Sequence, residues 1–324
     1  MKNCMASVLQ GAEIYGRVPL WELEFHPWHK FTKQPFKVGV EFQQLSPKEK
    51  EMQININAEV MAEVTEKLHF SAVTVPGGYW ETSPGEPAFF WLPPEYRFRQ
   101  LEIIRKMLPA DVLTVAITGG VMAIPEAANY VEFSCKLFDT PEEIDMMARK
   151  IFNDGIALMK VAKDAGADAV VTASDIADNR GPFFNSEQMK RFIIPYLQEW
   201  AEAVHREGLL SILHTDGNIN TLLDQLCETG VQAVQAVDPV AGMNMAEALL
   251  KCRGRMALCG NINCGNLVAG TPESVCIETK KILLSCSAFK KWIFGASNAV
   301  QKEVPIENYQ AMINAWLEYG DKRG

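Results

Sequence analysis

Short apolar runs alternate with amphipathic stretches from one end of this chain to the other. The clearest run is LLSILHTDGN, residues 209–218, where apolar positions lead straight into His214, Asp216 and Asn218. It reads as a buried strand that ends in groups able to bind a proton, a metal or a polar substrate. Seven further runs share this design: 17–25 (RVPLWELEF), 69–75 (HFSAVTV), 111–118, 168–174, 231–237, 255–259 and 290–294. The first of them alternates with Glu22 and Glu24.

Helical patterns fill the gaps, over 47–67, 96–108, 140–165, 186–207, 219–229, 246–252, from 271 onward, and 305–319. Their start signals are Ser46 before Pro47, Thr140 with Pro141 and Glu143, Ser186, and Thr271 with Pro272. Residues 121–137 read as a short helix with loop. Residues 76–94 form a long loop dense in Gly, Pro and aromatics, a composition suited to a lid or a substrate wall. Strands alternating with helices pair in parallel through crossovers. Eight such units predict an α/β fold of the closed (β/α)8 TIM-barrel type. An open doubly wound sheet is the competitor, and the lack of a GxGxxG after the first strand counts against it. No linker divides the chain. Residues 1–324 therefore read as one barrel domain with an N-terminal extension over about 1–16 and the long loop after the second strand.

Composition narrows the function classes. The chain has 324 residues, 48% of them hydrophobic, which supports a large core. A net charge of −9 without a Lys/Arg run argues against nucleic acid as a partner. No window approaches the roughly eighteen uninterrupted apolar residues of a membrane span. The first residues lack the apolar core of a secretory signal, so the expected location is cytoplasmic. The eight cysteines include no CxxC pair and read as reduced thiols, mostly small core residues.

In a barrel of this kind the active site lies at the C-terminal strand ends. Those ends carry Glu22 and Glu24, Tyr79 and Trp80, Asp175 with Asn179, then His214, Asp216 and Asn218. Asp238, Asn261 with Asn263, and Ser297 with Asn298 complete the set. Asn and Asp also favour turns for local reasons, so Asp238 and Asn261 have structural readings beside functional ones. His214 and Asp216 are two residues apart, so both side chains fall on one face of a strand. His, carboxylate and thiolate all ligate zinc, which makes His214, Asp216 and Cys259 a candidate metal set.

The segments RVPLWELEF, AGADAVVTASDIADNRGPFFNSEQMKRFIIPYL, LHTDGNINTLLDQLCETGVQAV, ALCGNINCGNLVAGTPESV and FGASNAVQKEVPIENYQAM resemble, in order, the uroporphyrinogen decarboxylase superfamily. That superfamily also contains corrinoid-dependent methyltransferases. The resemblance implies a (β/α)8 barrel. The decarboxylases carry an Arg-rich segment at the first strand end for the acidic side chains of their tetrapyrrole. This chain has ELEFHPW there, and Ser71 where an aspartate is expected. The coenzyme M methyltransferases hold zinc with an H-x-C pair and a later Cys. This chain has His214 and Asp216, and the later position falls near Ser297 or Asn298. The loss of soft thiolates disfavours thiol activation by zinc.

The resemblance then implies the opposite half-reaction. A methyl group would pass from a small methylated donor, an aryl methyl ether or a methylamine, to the Co(I) of a corrinoid. No D-x-H-x-x-G motif is present, so the corrinoid would arrive on a partner protein. Proton donors for the leaving oxygen would be Asp216, His214, Glu22 or Glu24, and a bound metal such as zinc is the other route. Tyr79 and Trp80, with Phe89, Phe90 and Trp91, would wall the donor's apolar body. Asp175, Asn179, Asn218, Asn261, Ser297 and Asn298 would line the rest of the site. A homodimer fits this picture. The rival readings are decarboxylation of a non-porphyrin acid and a non-catalytic partner of a corrinoid protein.

Overall fold

The computed structural model describes residues 5–12, 16–78 and 85–321. Its strands are β1 (Ala72–Thr74), β2 (Leu113–Ile117), β3 (Ala169–Ala173), β4 (Ala177–Asp178), β5 (Gly181–Pro182), β6 (Leu210–Thr215), β7 (Ala233–Ala236), β8 (Ala257–Cys259) and β9 (Trp292–Ile293). Seven of them form one curled parallel sheet in the order β1-β2-β3-β6-β7-β8-β9. All neighbours in it are parallel, so each pair needs a crossover, and helices supply it. β4 and β5 make a small antiparallel hairpin that the sequence pattern did not indicate.

The segment 17–25 differs from expectation. It forms no regular strand, only single bridges, Arg17 to Asp321, Leu20 to Phe294 and Phe25 to Val300. Pro19 has no N–H to contribute to a ladder, which limits regular pairing. The segment still lies between the two edges of the sheet. Trp21 N donates to Phe294 O (2.9 Å), Phe294 N to Pro19 O (2.8 Å), and Ser71 N to Leu20 O (2.8 Å).

The period of two sorts strand side chains between two cores. Ala72, Val115, Val171, Ile212, Ala233 and Ala257 face one cluster with Trp21 and Leu23. The alternate residues, such as Val73, Val170, Leu213 and Val234, pack outward against the helices. The N-terminal extension contributes to the inner cluster. Its helix Met5–Gln10 buries Met5, Val8 and Leu9 there.

Helix starts depend on local hydrogen bonds, and three differ from the sequence reading. Ser46 caps Pro47–Leu68 as expected, with Glu49 returning the bond as a full capping box. Thr140 precedes Pro141–Asp164, but its side chain caps nothing and its hydroxyl is buried without a partner. Asn185, not Ser186, caps the helix that begins at Ser186, reciprocated by Gln188. The helix expected over 219–229 shrinks to Leu223–Cys227, after a turn in which Asn218 Oδ1 accepts from Asn220 N.

Candidate active site

His214 lies near the end of β6, on the inward face that also carries Ile212. It is fully buried. Its Nδ1 lies 2.5 Å from Gln235 Oε1, on the neighbouring strand β7 and in register with it. The Gln235 amide nitrogen donates to the carbonyls of Ala296 (3.3 Å) and Ser297 (3.0 Å). With its nitrogen so engaged, the amide turns its oxygen to His214, and Nδ1 must carry the proton. Nε2 then faces two carboxylates. It is 3.9 Å from Asp175 Oδ1 and 4.0 Å from Asp216 Oδ2.

Asp175 and Asp216 follow adjacent strands β3 and β6, whose residues Ala173 and His214 are paired. Asp216 N donates to Asp175 Oδ1 (2.7 Å), which ties the two strand ends together. Asn298 Nδ2 donates to Asp216 Oδ2 at 2.5 Å. Burial pushes the Asp216 carboxyl up to about 6, and the charges of Asp175 and Asp238 act the same way. His214 and Asn298 oppose that rise. Gly217 follows at φ +85°, and a Cβ there would meet the Ala177 carbonyl oxygen at 2.5 Å. Glycine thus lets the rim of β6 close against the β4–β5 hairpin.

Asp175, His214 and Asp216 each offer one ligand atom, all within 4.8 Å of one another. The set is one imidazole and two carboxylates, and it suits a divalent cation that accepts hard oxygen ligands. His214 is braced as a metal-binding histidine usually is, with the far ring nitrogen donating to a fixed oxygen. Asp175 and Asp216 also line a cleft of about 730 Å³ with Ile124, Asn179 and Arg180. A second cavity, about 620 Å³, lies at the opposite ends of the strands beside Ser71, Asp111 and Trp316, and among the described residues it gathers no such cluster.

The remaining expected site residues divide by their contacts. Cys259 is not brought to the cluster. It lies inward on β8, in register with Gln235, so the Gln235 strand separates it from His214. Burial holds its thiol protonated, and Asp175 takes the third place in the set. Glu22 and Glu24 do not face the strand interior, because Trp21 and Leu23 occupy that parity. Glu22 accepts from Ala296 N and from the Tyr309 hydroxyl, both at 2.8 Å, and burial pushes it up to about 8. Glu24 lies 2.9 Å from His26 Nε2, burial raises it well above the carboxylate range, and its other oxygen is buried without a partner. Burial first, then the Lys302 charge, lowers His26 to about 3. The His26 ring also stacks on Phe90.

Asn218 serves the fold, donating to the Ala241 carbonyl. Asn261 does the same toward the Val237 carbonyl. Ser297 is buried beside Cys264, 3.6 Å from its sulfur. Tyr79 and Trp80 lie outside the described residues. Two participants went unnoticed in the sequence, Gln235 and Cys264. Gln235 had a visible signal, a polar residue at an inward position of the apolar run VQAVQAV. Cys264 had none, because it begins the short helix Cys264–Ala269 and reaches Ser297 only through the fold.

Comparison with known proteins follows this geometry. Residues 95–319 match the family model described as Uroporphyrinogen decarboxylase (URO-D). A uroporphyrinogen decarboxylase of Anaeromyxobacter dehalogenans is 24% identical over 214 residues, 66% of this chain and 57% of that protein. One from Coxiella burnetii is 24% identical over 237 residues, 70% of this chain and 63% of that protein. The chain thus spans less than two thirds of the length of these relatives. Among solved structures, a methyltransferase from Methanosarcina mazei superposes with a TM-score of 0.71 at 17% identity, covering 98% of this chain and 99% of that one. A B12-independent methionine synthase from Shewanella sp. W3-18-1 reaches 0.58 at 11% identity, covering 94% and 97%.

Proposed function

This chain belongs to the uroporphyrinogen decarboxylase family, and on that premise we propose that it is a corrinoid-dependent methyltransferase of that superfamily. It would take a methyl group from a small methylated donor, an aryl methyl ether in preference to a methylamine, and pass it to the Co(I) of a corrinoid on a separate protein. We read the curled sheet, with residues 19–21 in the eighth position, as the (β/α)8 barrel this activity would use.

The observation that carries the proposal is the cluster of His214, Asp175 and Asp216 at one rim. A rim with three nearby aspartates, Asp238 included, repels a polyanionic tetrapyrrole. It suits a reaction that must place a proton or a cation on a leaving oxygen. The fold shared with the M. mazei methyltransferase agrees at the level of fold.

The chain's own residues would act as follows. Asp216, near 6, holds its proton more firmly than an ordinary aspartate and can give it to the departing ether oxygen as the carbon–oxygen bond breaks. Asp175 keeps the Asp216 backbone in place, and Gln235 keeps the imidazole oriented. A corrinoid carried by the partner protein would supply the nucleophile for the methyl carbon. Zinc or another divalent cation, held by Asp175, His214 and Asp216, would supply Lewis acidity at the same place. The test is to mix the purified chain with a Co(I) corrinoid protein and a panel of aryl methyl ethers and methylamines. Corrinoid methylation by some member is expected, and failure across the panel would sink the proposal.

The names of the matched relatives favour a second reading, decarboxylation, which the acidic rim would direct to an acid other than a porphyrin. It predicts carbon dioxide release with no corrinoid present.

A further inference from the structure

A guanidinium lies at the same end of the strands with no anion beside it among the described residues. Arg97, in the first turn of the helix Pro94–Met107, is 6% exposed. Its Nη1 makes one long contact, 3.4 Å, with the carbonyl of Ile117 at the end of β2. Its Nε is buried and donates to nothing. The guanidinium carbon lies 4.6 Å from the centre of the Phe98 ring. Among the described residues no carboxylate pairs with it, and burial alone draws it down to about 10, so it is cationic at neutral pH.

Arg99, Arg105, Arg149, Arg191 and Arg255 each meet a carboxylate. Those are partly or fully exposed, where pairing is least needed. Arg180, Arg206 and Arg253 meet none but are exposed, so among the described arginines Arg97 alone combines burial with the lack of a carboxylate partner. A buried charge without a counter-charge is costly, and a Met or Leu would fill the same volume without that cost. The chain even leaves room for the group, since a Cβ on Gly77 would lie 2.6 Å from Arg97 Nη1.

Its position relative to the cluster is set by register. Ile117 pairs with Val171 on β3, and Ala173, two residues further, pairs with His214 on β6. The end of β2 is therefore two strands from β6, about 10 Å across the sheet. A substituted aromatic ring is long enough to span such a distance.

We infer that Arg97 is the anion-binding residue of this rim and that the ligand it receives carries a carboxylate. Resting on the reaction proposed above, this makes the methyl donor a methylated aromatic acid, not a neutral ether or a cationic amine. One arginine fork suits one carboxylate, which is consistent with a rim too acidic for a polyacid.

The test is titration calorimetry of the full chain with a methoxybenzoate and with the matching uncharged methoxybenzamide. The acid should bind about tenfold tighter or more, the scale of a charged hydrogen-bonded pair. Arg97→Met should remove that preference while leaving amide affinity unchanged, and Arg97→Lys should restore part of it. Equal binding of acid and amide by the unaltered chain, no binding of the acid, or a preference that survives in Arg97→Met overturns the inference. If Arg97→Met does not fold by circular dichroism, the reduced acid preference of Arg97→Lys provides the same reading. Methyl transfer is assayed separately. An acid preference without corrinoid methylation supports the anion site and counts against the reaction. Methylation from neutral ethers with acids refused supports the reaction and overturns the anion site.

Discussion

At the scale of single residues, His214 is the group on which the cluster depends. Two of its neighbours are carboxylates at about 4 Å, and its far nitrogen is held by Gln235. His214→Ala should lower turnover by about 10²–10⁴-fold with circular dichroism unchanged, and an unaltered rate would remove His214 from the site. Gln235→Leu leaves the imidazole in place but frees its orientation. It should weaken divalent-cation binding by about 10–100-fold, measured by competition with a chromogenic chelator. Glu22 gives a residue-scale prediction of another kind. Its ordinary value is 4.5 and burial raises it to about 8. Between those values the folded chain holds a proton the unfolded chain has lost, so stability falls as pH rises through that window. The whole effect is on the order of a few kcal/mol. Melting temperature followed from pH 5 to 9 should decline, and Glu22→Gln should flatten the decline.

At the scale of elements, helix starts test the sequence reading directly. Asn185→Ala should cost about 1 kcal/mol in chemical denaturation, because the Asn185 oxygen accepts from Glu187 N and Gln188 N. Ser186→Ala should change stability by no more than a few tenths, since its side chain is not the cap. A loss at Ser186 and none at Asn185 would reverse the assignment. This pair also shows what periodicity leaves open. Apolar spacing located the element correctly, but two adjacent residues with equal capping talent are separated only by backbone angles. Thr140 makes the same point, since T-P-E-E reads as a capping box and its hydroxyl caps nothing. The parity rule was more informative. It put His214 and Asp216 on one face, and would have placed Glu22 and Glu24 away from the interior once Trp21 and Leu23 were recognised as inner residues. Arg97 was illegible by any such rule, because an arginine on a helix reads as solvated until its neighbours are known.

At the scale of the whole molecule, the stretch before the first strand is structural. Helix Met5–Gln10 inserts Met5, Val8 and Leu9 among strand residues drawn from β1 to β9. Leu9 is 2% exposed, so Leu9→Ala should cost about 2–5 kcal/mol. Thermal unfolding should show the loss with the secondary-structure spectrum retained, and a melting temperature unchanged within error would mean that this helix does not hold the inner core. The alternation of strand and helix was legible across the chain. The manner in which the sheet's edges meet was not, because no local pattern records a partner 274 residues away.

That meeting of Leu20 with Phe294 has a consequence for the way the molecule is made. While the chain emerges from the ribosome, β1 has its neighbour β2 soon after synthesis, yet its other flank shares only the Leu20 segment. The far side of that segment stays bare until residues 292–294 have been translated. For most of its synthesis the nascent protein therefore carries unsatisfied backbone groups at both margins of a growing sheet, the condition under which chains pair with one another instead of with themselves. The last strand to appear is the one that removes both margins at once.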